Sequence, residues 1–411
     1  MSAVLELALG IMTALGGFVD VGELVFAVQA GARFGYLLLW AVVVGTVGIF
    51  LFGEMSGRIA AMRGQAVFEV MRRELGSGLG LVVLVASVLV NLLTCAAEIG
   101  GVAVVLQLLA GAGFRAMVPV AAALLLATIF FLPFRWIERV FGIMGLALLV
   151  YVAAALAGGP DWGRVAHGLL PHLPQPGQPG LLVYLYFATG LLSSIMMPYE
   201  VYFYSSGCIE DRWTPKDLTQ GKLTAGIGFM LGGLLTASLL IVGAIVYLPQ
   251  GIDPQHLATS VLGATTALGR WGLYLALAGI LFAVAGAAVE TALAGGYTVA
   301  QFFSLRWGKS RKARDAPAFT ATWVLVIVLG AGIALGGLNP VTVVEFSVIF
   351  SIVVLPFTYY PILRMAGDRR LMGAHVNSRV VQVLGWSYLV LIAVVALAAV
   401  PLMVLTHMGE G

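Results

Sequence analysis

Long apolar runs separated by short polar loops make up nearly all of the chain. We interpret eleven runs as transmembrane helices, because about 20 apolar residues span the hydrocarbon core of a bilayer. They cover residues 3–29, 36–59, 79–109, 116–132, 137–156, 180–206, 223–248, 271–302, 318–335, 342–363 and 380–405. The pattern predicts an all-α polytopic membrane protein with one transmembrane domain over residues 1–411.

Breaks are expected inside two of these spans. Gly16, Gly17 and Gly22 crowd one part of the first span, and glycine readily adopts conformations that interrupt a helix. In the sixth span Pro198 follows Met197, and a proline removes a backbone donor and clashes with the carbonyl four residues earlier. We therefore predict a broken first helix and a sixth helix that opens at Met197-Pro198.

The positions of the two breaks predict the architecture. Spans one and six are each the first of five, as in transporters built from two inverted five-helix repeats whose broken helices meet at the bilayer midplane. The repeats would cover residues 3–157 and 180–366, with an extra helix at 380–405. We expect the substrate site where the two broken helices meet.

Composition excludes the soluble classes of protein. The chain is 61% hydrophobic and 10% charged, whereas soluble domains are about 25% charged. Basic residues lie in loops and at span ends, so they indicate topology and not a nucleic-acid partner. With the N-terminus inside, eighteen of the 22 fall on the inner side. This bias predicts a cytoplasmic N-terminus and an extracytoplasmic C-terminus. Residues 65–75 alternate apolar and charged positions as a short amphipathic surface helix does.

Acidic residues inside the spans are the candidate groups for binding ions or carrying protons. Asp20 and Glu23 lie three residues apart in the first span, where an unpaired acid costs at least about 2.5–3.5 kcal/mol. We interpret them as a cation site on a broken helix. Glu98 and Glu200 are further acids within spans, and we consider them for proton or ion handling. Met197, beside the second break, would add a thioether, which shifts preference from Mg²⁺ and Ca²⁺ toward softer transition ions.

Three motifs resemble those of the Nramp family of divalent metal transporters. Residues 20–23, Asp-Val-Gly-Glu, are similar to the family's Asp-Pro-Gly-Asn motif, and residues 28–40 are similar to its continuation. Met197-Pro198-Tyr199 resembles the Met-Pro-His motif, and Glu98 matches the glutamate of a Thr-Asp-Leu-Ala-Glu segment. The resemblance implies a LeuT-type fold of 5+5 helices. It also implies that Asp20 and Met197 bind metal and that Ser194 offers its backbone carbonyl.

The chain departs from the family pattern at positions that matter for chemistry. Glu23 stands where the motif has asparagine, so the site carries a second acid. Tyr199 replaces the histidine and Cys95 the aspartate of the proton route that the resemblance implies. Two ionised carboxylates one helical turn apart repel each other until a metal ion or a proton binds. We therefore expect proton–metal exchange at the site itself, with Glu23 or Glu98 as substitutes, or uncoupled transport.

These observations predict a secondary transporter of divalent transition-metal ions. We expect Mn²⁺ first, with Fe²⁺ and Cd²⁺ as companions, moved across the cytoplasmic membrane by alternating access; symport with protons stays open. A Mg²⁺ or Ca²⁺ carrier, or the same fold carrying an amine, a guanidinium or an amino acid, stays open. We expect a monomer in the lipid bilayer with no cofactor and no enzymatic activity, since no nucleophile–base constellation is present.

Overall fold

The computed structural model describes residues 19–174, 176–337 and 339–410. Within these ranges the secondary structure is helical and contains no strand. The α-helices are α1 (Val21–Phe34), α2 (Leu39–Arg63), α3 (Val67–Leu75), α4 (Ser77–Ala110), α5 (Phe114–Phe131), α6 (Phe134–Gly145), α7 (Leu149–Ala157), α8 (Trp162–Gly168), α9 (Leu181–Ile195), α10 (Pro198–Glu210), α11 (Leu218–Val242), α12 (Leu257–Leu262), α13 (Thr265–Phe302), α14 (Pro317–Leu335), α15 (Pro340–Ala366), α16 (Arg369–Met372) and α17 (Arg379–Leu405).

The predicted spans two to eleven are each present. Ten stretches of the described chain are long and apolar enough to cross a membrane. Their boundaries lie within about four residues of the predicted ones, except that the seventh span begins at Pro215 and not at residue 223. Most of the first span, residues 3–18, lies outside the described residues, together with Gly16 and Gly17 of its predicted break. What is described of that span is α1, which begins at Val21.

The break predicted in the sixth span is confirmed. Helix α9 ends at Ile195 and α10 begins at Pro198, so Met196 and Met197 lie between two helices. Pro198 occupies the first position of α10, where a missing N–H costs nothing because that donor has no partner within a helix.

Helix α1 lies at the centre of the molecule. Every residue of it except Arg33 is buried, and it packs against α9, α11, α12 and α15. A helix surrounded by protein can carry polar groups at membrane depth, because those groups face partners and not lipid. Helix α17 lies at the periphery of the protein and packs mainly on α15. Only 22% of its most apolar stretch is buried.

Two glycines allow α1 and the end of α11 to touch through their backbones. A Cβ on Gly31 would lie 2.0 Å from the carbonyl oxygen of Leu240, and one on Gly243 would lie 2.3 Å from that of Val28. Gly243 opens a π-helical turn, Gly243–Tyr247, that continues α11. Small residues at helix contacts of this kind are how membrane helices gain close packing.

We call one end of the molecule the basic end, defined by loops 64–66, 132–133, 211–217, 303–316 and 367–378. The predicted amphipathic helix is confirmed there as α3. Its first amide, Val67 N, donates to Ser205 Oγ of α10 at 2.7 Å, and Phe68 packs edge-on against Tyr202 with ring centroids 5.0 Å apart. Helix α3 is therefore attached directly to the second half of the broken sixth span.

Replacing Gly31 by alanine should separate α1 from α11. The added methyl group meets backbone atoms, which cannot rotate away, so we expect a loss of about 1–3 kcal/mol, the range for overpacked cores. A matched change, Gly332→Ala, adds its methyl within helix α14 where nothing lies within 4 Å. Thermal unfolding of both variants in detergent checks this; equal melting temperatures would contradict the backbone contact.

Candidate functional site

The carboxylate of Asp20 caps α1. Asp20 has extended backbone angles (φ −99°, ψ 178°), its Oδ1 accepts from Glu23 N at 2.8 Å, and its own carbonyl accepts from Leu24 N. This is the geometry of an N-cap, in which a short acidic side chain replaces the missing turn of helix. Asp20 is 1% exposed, and its second oxygen, Oδ2, has no hydrogen-bond partner among the described residues. One carboxylate oxygen of Asp20 therefore caps the helix, and the other is available to bind a ligand.

A second carboxylate reaches the same helix end from α4. Glu98 is fully buried, and its Oε1 and Oε2 lie 3.2 and 3.4 Å from Val21 N, which donates to them. Two of the amides left open at the start of α1 therefore bind side-chain oxygens, and the positive end of the helix dipole stabilises both acids. Glu98, predicted as part of a proton route, has a structural partner in this arrangement.

Glu23 faces α11 from the first turn of α1. Its Oε1 lies 3.1 Å from Thr236 Oγ1, which lies equally far from the carbonyl oxygen of Gly232. A hydroxyl has one proton, so Thr236 donates to only one of these acceptors at a time. Glu23 is fully buried and its Oε2 has no hydrogen-bond partner. Like Asp20, it keeps one oxygen available.

The break in the sixth span alters which carbonyls are free. In an unbroken helix the carbonyl oxygen of Ser194 would accept from the amide four residues later, but that residue is Pro198, which has no N–H. Its hydroxyl turns back to Leu191 O at 3.2 Å. The carbonyl of Met196 accepts from the Tyr359 hydroxyl at 3.0 Å, so it already has a partner in another helix. Pro198 leaves the carbonyl of Ser194 without its usual partner within the helix.

The two methionines of the break have different surroundings. Met196 packs between α2 and α17, where its Sδ would lie 2.7 Å from a Cβ on Gly48 and where Tyr388 is also close. Its thioether is therefore part of a helix contact. Met197 is 1% exposed and occupies the cap position of α10, directly before Pro198. This leaves Met197 as the thioether that belongs to the break.

The start of α1 and the end of α9 lie close together. A Cβ on Gly22 would lie 3.4 Å from Ser194 Cβ, 3.0 Å from a methyl group of Val348 in α15 and 2.9 Å from Asp20 Oδ1. The neighbouring Ser193 donates its hydroxyl to the carbonyl of Val348 at 2.5 Å. A glycine avoids these close side-chain contacts, so Gly22 lets the acids of α1 lie beside the end of α9.

The remaining residues of the predicted proton route are buried in separate surroundings. Cys95 donates weakly to the carbonyl oxygen of Ala288 at 3.8 Å, so it packs against α13. Tyr199 is fully buried in the first turn of α10. Glu200, beside it, is 6% exposed, and neither of its carboxylate oxygens has a hydrogen-bond partner. Glu200 is therefore the member of this set with unused binding capacity.

At the end opposite to the basic end, contacts from α1 close the centre. Arg33 forms an ion pair with Asp253 at 2.5 Å and also donates to the carbonyl of Gly409. Gln29 Nε2 donates to the carbonyl of Pro254 at 3.4 Å. These contacts tie α1 to the loop before α12 and to the end of the chain.

At the basic end, α10 is closed against α13 and the adjoining loop. Glu210 accepts from the Tyr297 hydroxyl at 3.1 Å, from Ser310 N at 3.3 Å and from the amide of Lys309. Gln301 donates to Ser206 Oγ at 2.9 Å. Since Asp20, Glu23, Ser194 and Met197 are each at most 1% exposed, the centre is enclosed from both ends.

Sequence reasoning missed two residues that shape the site, Thr236 and Tyr359. Both sit in apolar helices, where a threonine commonly bonds its own helix and a tyrosine commonly packs, so their types carried no signal. Their roles follow only from the packing of α11 and α15 against the two breaks.

The arrangement can bind a cation with oxygen and sulfur atoms from different helices. Among the described residues, no group of three or more His, Cys, Asp and Glu side chains stands ready to hold a metal ion. A bound ion would instead combine the open carboxylate oxygens of Asp20 and Glu23 with a backbone carbonyl and the Met197 thioether. Such a mixed donor set suits divalent transition ions.

Comparison with known proteins identifies the family and supports the fold. The model of the family described as "Natural resistance-associated macrophage protein-like" matches residues 10–401. The divalent metal cation transporter MntH of Staphylococcus aureus is 24% identical over 94% of this chain and 88% of that protein. A crystal structure of the Eremococcus coleocola manganese transporter superposes with a TM-score of 0.76 at 20% identity, covering 96% of this chain and 86% of that one.

A more distant likeness extends beyond these proteins. A closed structure of a nucleobase-cation-symport-1 family transporter superposes with a TM-score of 0.59 at 14% identity, over 96% of this chain and 91% of that one. At such identities the likeness concerns the fold alone. The family match over nearly the whole chain goes further: the chain belongs to the Nramp family of multi-pass membrane transporters.

Proposed function

We propose that this protein carries divalent transition-metal ions, with Mn²⁺ as its main substrate and Fe²⁺ and Cd²⁺ as further ones. The observation that carries the proposal is Asp20, a buried carboxylate at the start of α1, close to the break of the sixth span, whose Oδ2 has no partner among the described residues. The names of relatives support it, since the Staphylococcus aureus protein is a divalent metal cation transporter and the Eremococcus coleocola one a manganese transporter.

The proposed ligands are Asp20, Glu23, Met197 and the backbone carbonyl of Ser194. Carboxylates and a carbonyl bind any hard divalent ion, so the thioether of Met197 is the group that favours Mn²⁺, Fe²⁺ and Cd²⁺ over Ca²⁺. The C-terminal end of α9 also points its partial negative charge toward the break, which helps to hold a cation.

A Mg²⁺ or Ca²⁺ carrier is the second candidate, and one observation favours it. Glu23 supplies an extra unpartnered carboxylate oxygen, and higher charge with more oxygen ligands suits hard ions. An organic amine or guanidinium would also be attracted to two acids, whereas the carboxylate of an amino acid would be repelled by them.

We place transport in the cytoplasmic membrane, by alternating access of a monomer. The basic end would face the cytoplasm, in line with the charge bias of the loops. Opening at one end requires the Arg33–Asp253 contacts to separate, and opening at the other requires Glu210 to leave Tyr297 and the adjoining loop. Because both sets involve the broken helices, the ion would be exposed to one side at a time.

Proton coupling, if present, would use the acids that this chain retains. Cys95 and Tyr199 are poor proton carriers near neutral pH, and Glu98 is bonded to the start of α1. Glu23, with one free oxygen and a hydroxyl partner that can donate elsewhere, is the remaining group in the site. Metal entry would displace a proton from it.

Removing the Asp20 carboxylate should strongly reduce transport. We expect Asp20→Ala to lower Mn²⁺ uptake into proteoliposomes by at least about 10–100-fold, because losing a direct ligand should cost no less than losing a group that orients one. Asp368→Ala, a change in an exposed loop at the basic end, serves as the control. Robust Mn²⁺ uptake by Asp20→Ala would overturn the site assignment.

The two methionines allow a test of selectivity. Met197→Ala should narrow the preference for Mn²⁺ over Ca²⁺ more than it lowers total transport, because it removes only the soft ligand. Met196→Ala is matched in chemistry and removes a helix contact instead, so it should leave the preference unchanged. Competition of Ca²⁺ against Mn²⁺ uptake measures both; the same ratio in Met197→Ala as in the wild type would contradict the assignment.

Glu23→Gln should retain part of the Mn²⁺ transport and lose Mn²⁺-driven proton flux. The glutamine side chain has the same size as glutamate and keeps the contact with Thr236, but its amide cannot gain or release a proton. A pH-sensitive dye inside reconstituted vesicles reports the flux, with Glu98→Gln as a control that keeps an acceptor for Val21 N. Unchanged flux in Glu23→Gln would refute this coupling mechanism.

A further inference from the structure

A cavity of about 260 Å³ opens between three segments at the basic end, and we call it the loop cavity. Ile129 and Phe130 of α5 form one wall, Thr320 and Trp323 of α14 form a second, and loop residues 308–313 form the third. None of the proposed metal ligands lines it. The loop cavity is therefore separate from the metal site, and metal transport does not explain it.

The loop cavity joins an apolar part to a polar part. Phe130 and Trp323 pack edge to face with ring centroids 4.8 Å apart, and both belong to stretches apolar enough to cross a membrane. Loop 303–316 connects α13 to α14, so the chain leaves the apolar region at this point. Nearby along the chain, Phe131 is 82% and Trp136 56% exposed, and tryptophan is enriched where membrane meets water. These positions indicate that the cavity lies at the level of the lipid headgroups.

The loop carries an excess of positive charge. Residues 303–316 include five basic residues and one acid, Asp315. Asp315 lies 3.8 Å from Arg314, whereas no ion pair in the described ranges includes Arg311 or Lys312. Both of these cations are exposed and line the loop cavity. A ligand with negative charge would complement them.

The backbone of the loop orients Arg311. Its amide donates to the carbonyl of Gly308 at 3.2 Å, and its Nε donates to the carbonyl of Trp307 at 3.0 Å. The second contact uses Nε and leaves the two terminal nitrogens of the guanidinium as donors for a ligand. A guanidinium is always charged, and its planar shape matches the oxygens of a phosphate group. Phosphate is thus the anion that this side chain is best suited to bind.

We propose that the loop cavity binds the headgroup of an anionic phospholipid of the phosphatidylglycerol type. The phosphate would contact Arg311 and Lys312, and an acyl chain would cover the exposed ring of Phe130. Basic pockets between membrane helices bind anionic headgroups in this way. A soluble phosphate compound would satisfy the cations but leave the apolar wall uncovered, so the position of the cavity favours a lipid.

The same loop is attached to the second half of the sixth span. Glu210, at the end of α10, accepts from the amides of Lys309 and Ser310. Gly308 has a φ of 125°, which glycine tolerates, and a Cβ on it would lie 3.1 Å from Glu210 Oε1. A lipid that orders the loop would stabilise these contacts, because they come from neighbouring residues of the same turn. Bound lipid would therefore favour the closed form of the basic end.

Native mass spectrometry of the full-length protein in detergent tests the binding. Given equal amounts of phosphatidylglycerol and phosphatidylcholine, the wild type should bind mainly phosphatidylglycerol. The double variant Arg311→Gln/Lys312→Gln should bind it about tenfold more weakly or less, because two cations near the membrane surface are lost. Arg369→Gln/Arg379→Gln removes two exposed charges at the same end but outside the loop cavity, and it should bind lipid like the wild type.

Two results would overturn the lipid site. The first is equal binding of the two lipids by the wild type, and the second is equal loss of phosphatidylglycerol in both double variants. Inorganic phosphate at the concentration of the lipid separates a lipid site from a site for free anions. It should not displace phosphatidylglycerol, since it has no chain to cover Phe130; equal competition would contradict the lipid assignment. Melting temperatures in detergent establish that each variant is folded.

Hydrogen exchange tests the connection with α10. Phosphatidylglycerol should slow deuterium uptake in residues 303–316 and 205–211 of the wild type, because it stabilises the amide contacts with Glu210. The Arg311→Gln/Lys312→Gln variant should show no such effect. Unchanged uptake in the wild type with lipid bound would refute the effect on the basic end. Neither measurement needs a metal ion, so a failure of Mn²⁺ transport and a failure of the lipid site are distinguishable.

Discussion

The structure depends on negative charge placed at the start of a helix in the middle of a membrane. Asp20 and Glu98 accept hydrogen bonds from the first amides of α1, which gives that helix a defined beginning and gives two buried acids a stabilising partner. Each depends on the other: without the acids the amides would be unsatisfied, and without the amides the acids would be too costly at this depth. Among the described residues the arrangement leaves Asp20 Oδ2 and Glu23 Oε2 unpartnered, and in the proposed function these two oxygens bind the cation.

Packing makes this possible by bringing backbones close together. Gly22 fits between Ser194 and Val348, and Gly31 and Gly243 let α1 contact α11 without side chains between them. Because α1 is buried on nearly all sides, its polar first turn never faces lipid. The same closeness ties the site to both ends of the protein, through Arg33 at one end and through α10 at the other. Movement at either end would therefore shift the helices that carry the proposed ligands Asp20, Glu23 and Met197.

Much of the fold was predictable from the sequence because a transmembrane helix needs about 20 consecutive apolar residues. The lengths of the apolar runs predicted the ten described spans. Pro198 predicted the break in the sixth span. Asp20 and Glu23 stood out as candidate ligands because no basic residue lies near them in the first span. The sequence could not assign Glu98 to the cap of α1, because that contact joins residues 77 positions apart. Nor could it distinguish Met196 from Met197, since the difference lies in whether a thioether packs on Gly48.

The central claim is that an ion binds where the broken helices meet, with Asp20 as its anchor. Anomalous X-ray scattering from crystals grown with Mn²⁺ tests it most directly, because the signal locates the metal itself. We predict a main peak within about 2.5 Å of an Asp20 carboxylate oxygen, which is the distance range of divalent metal–oxygen bonds. The same peak should lie beside the Ser194 carbonyl and the Met197 sulfur. A main peak remote from Asp20, or none at saturating Mn²⁺, would contradict it.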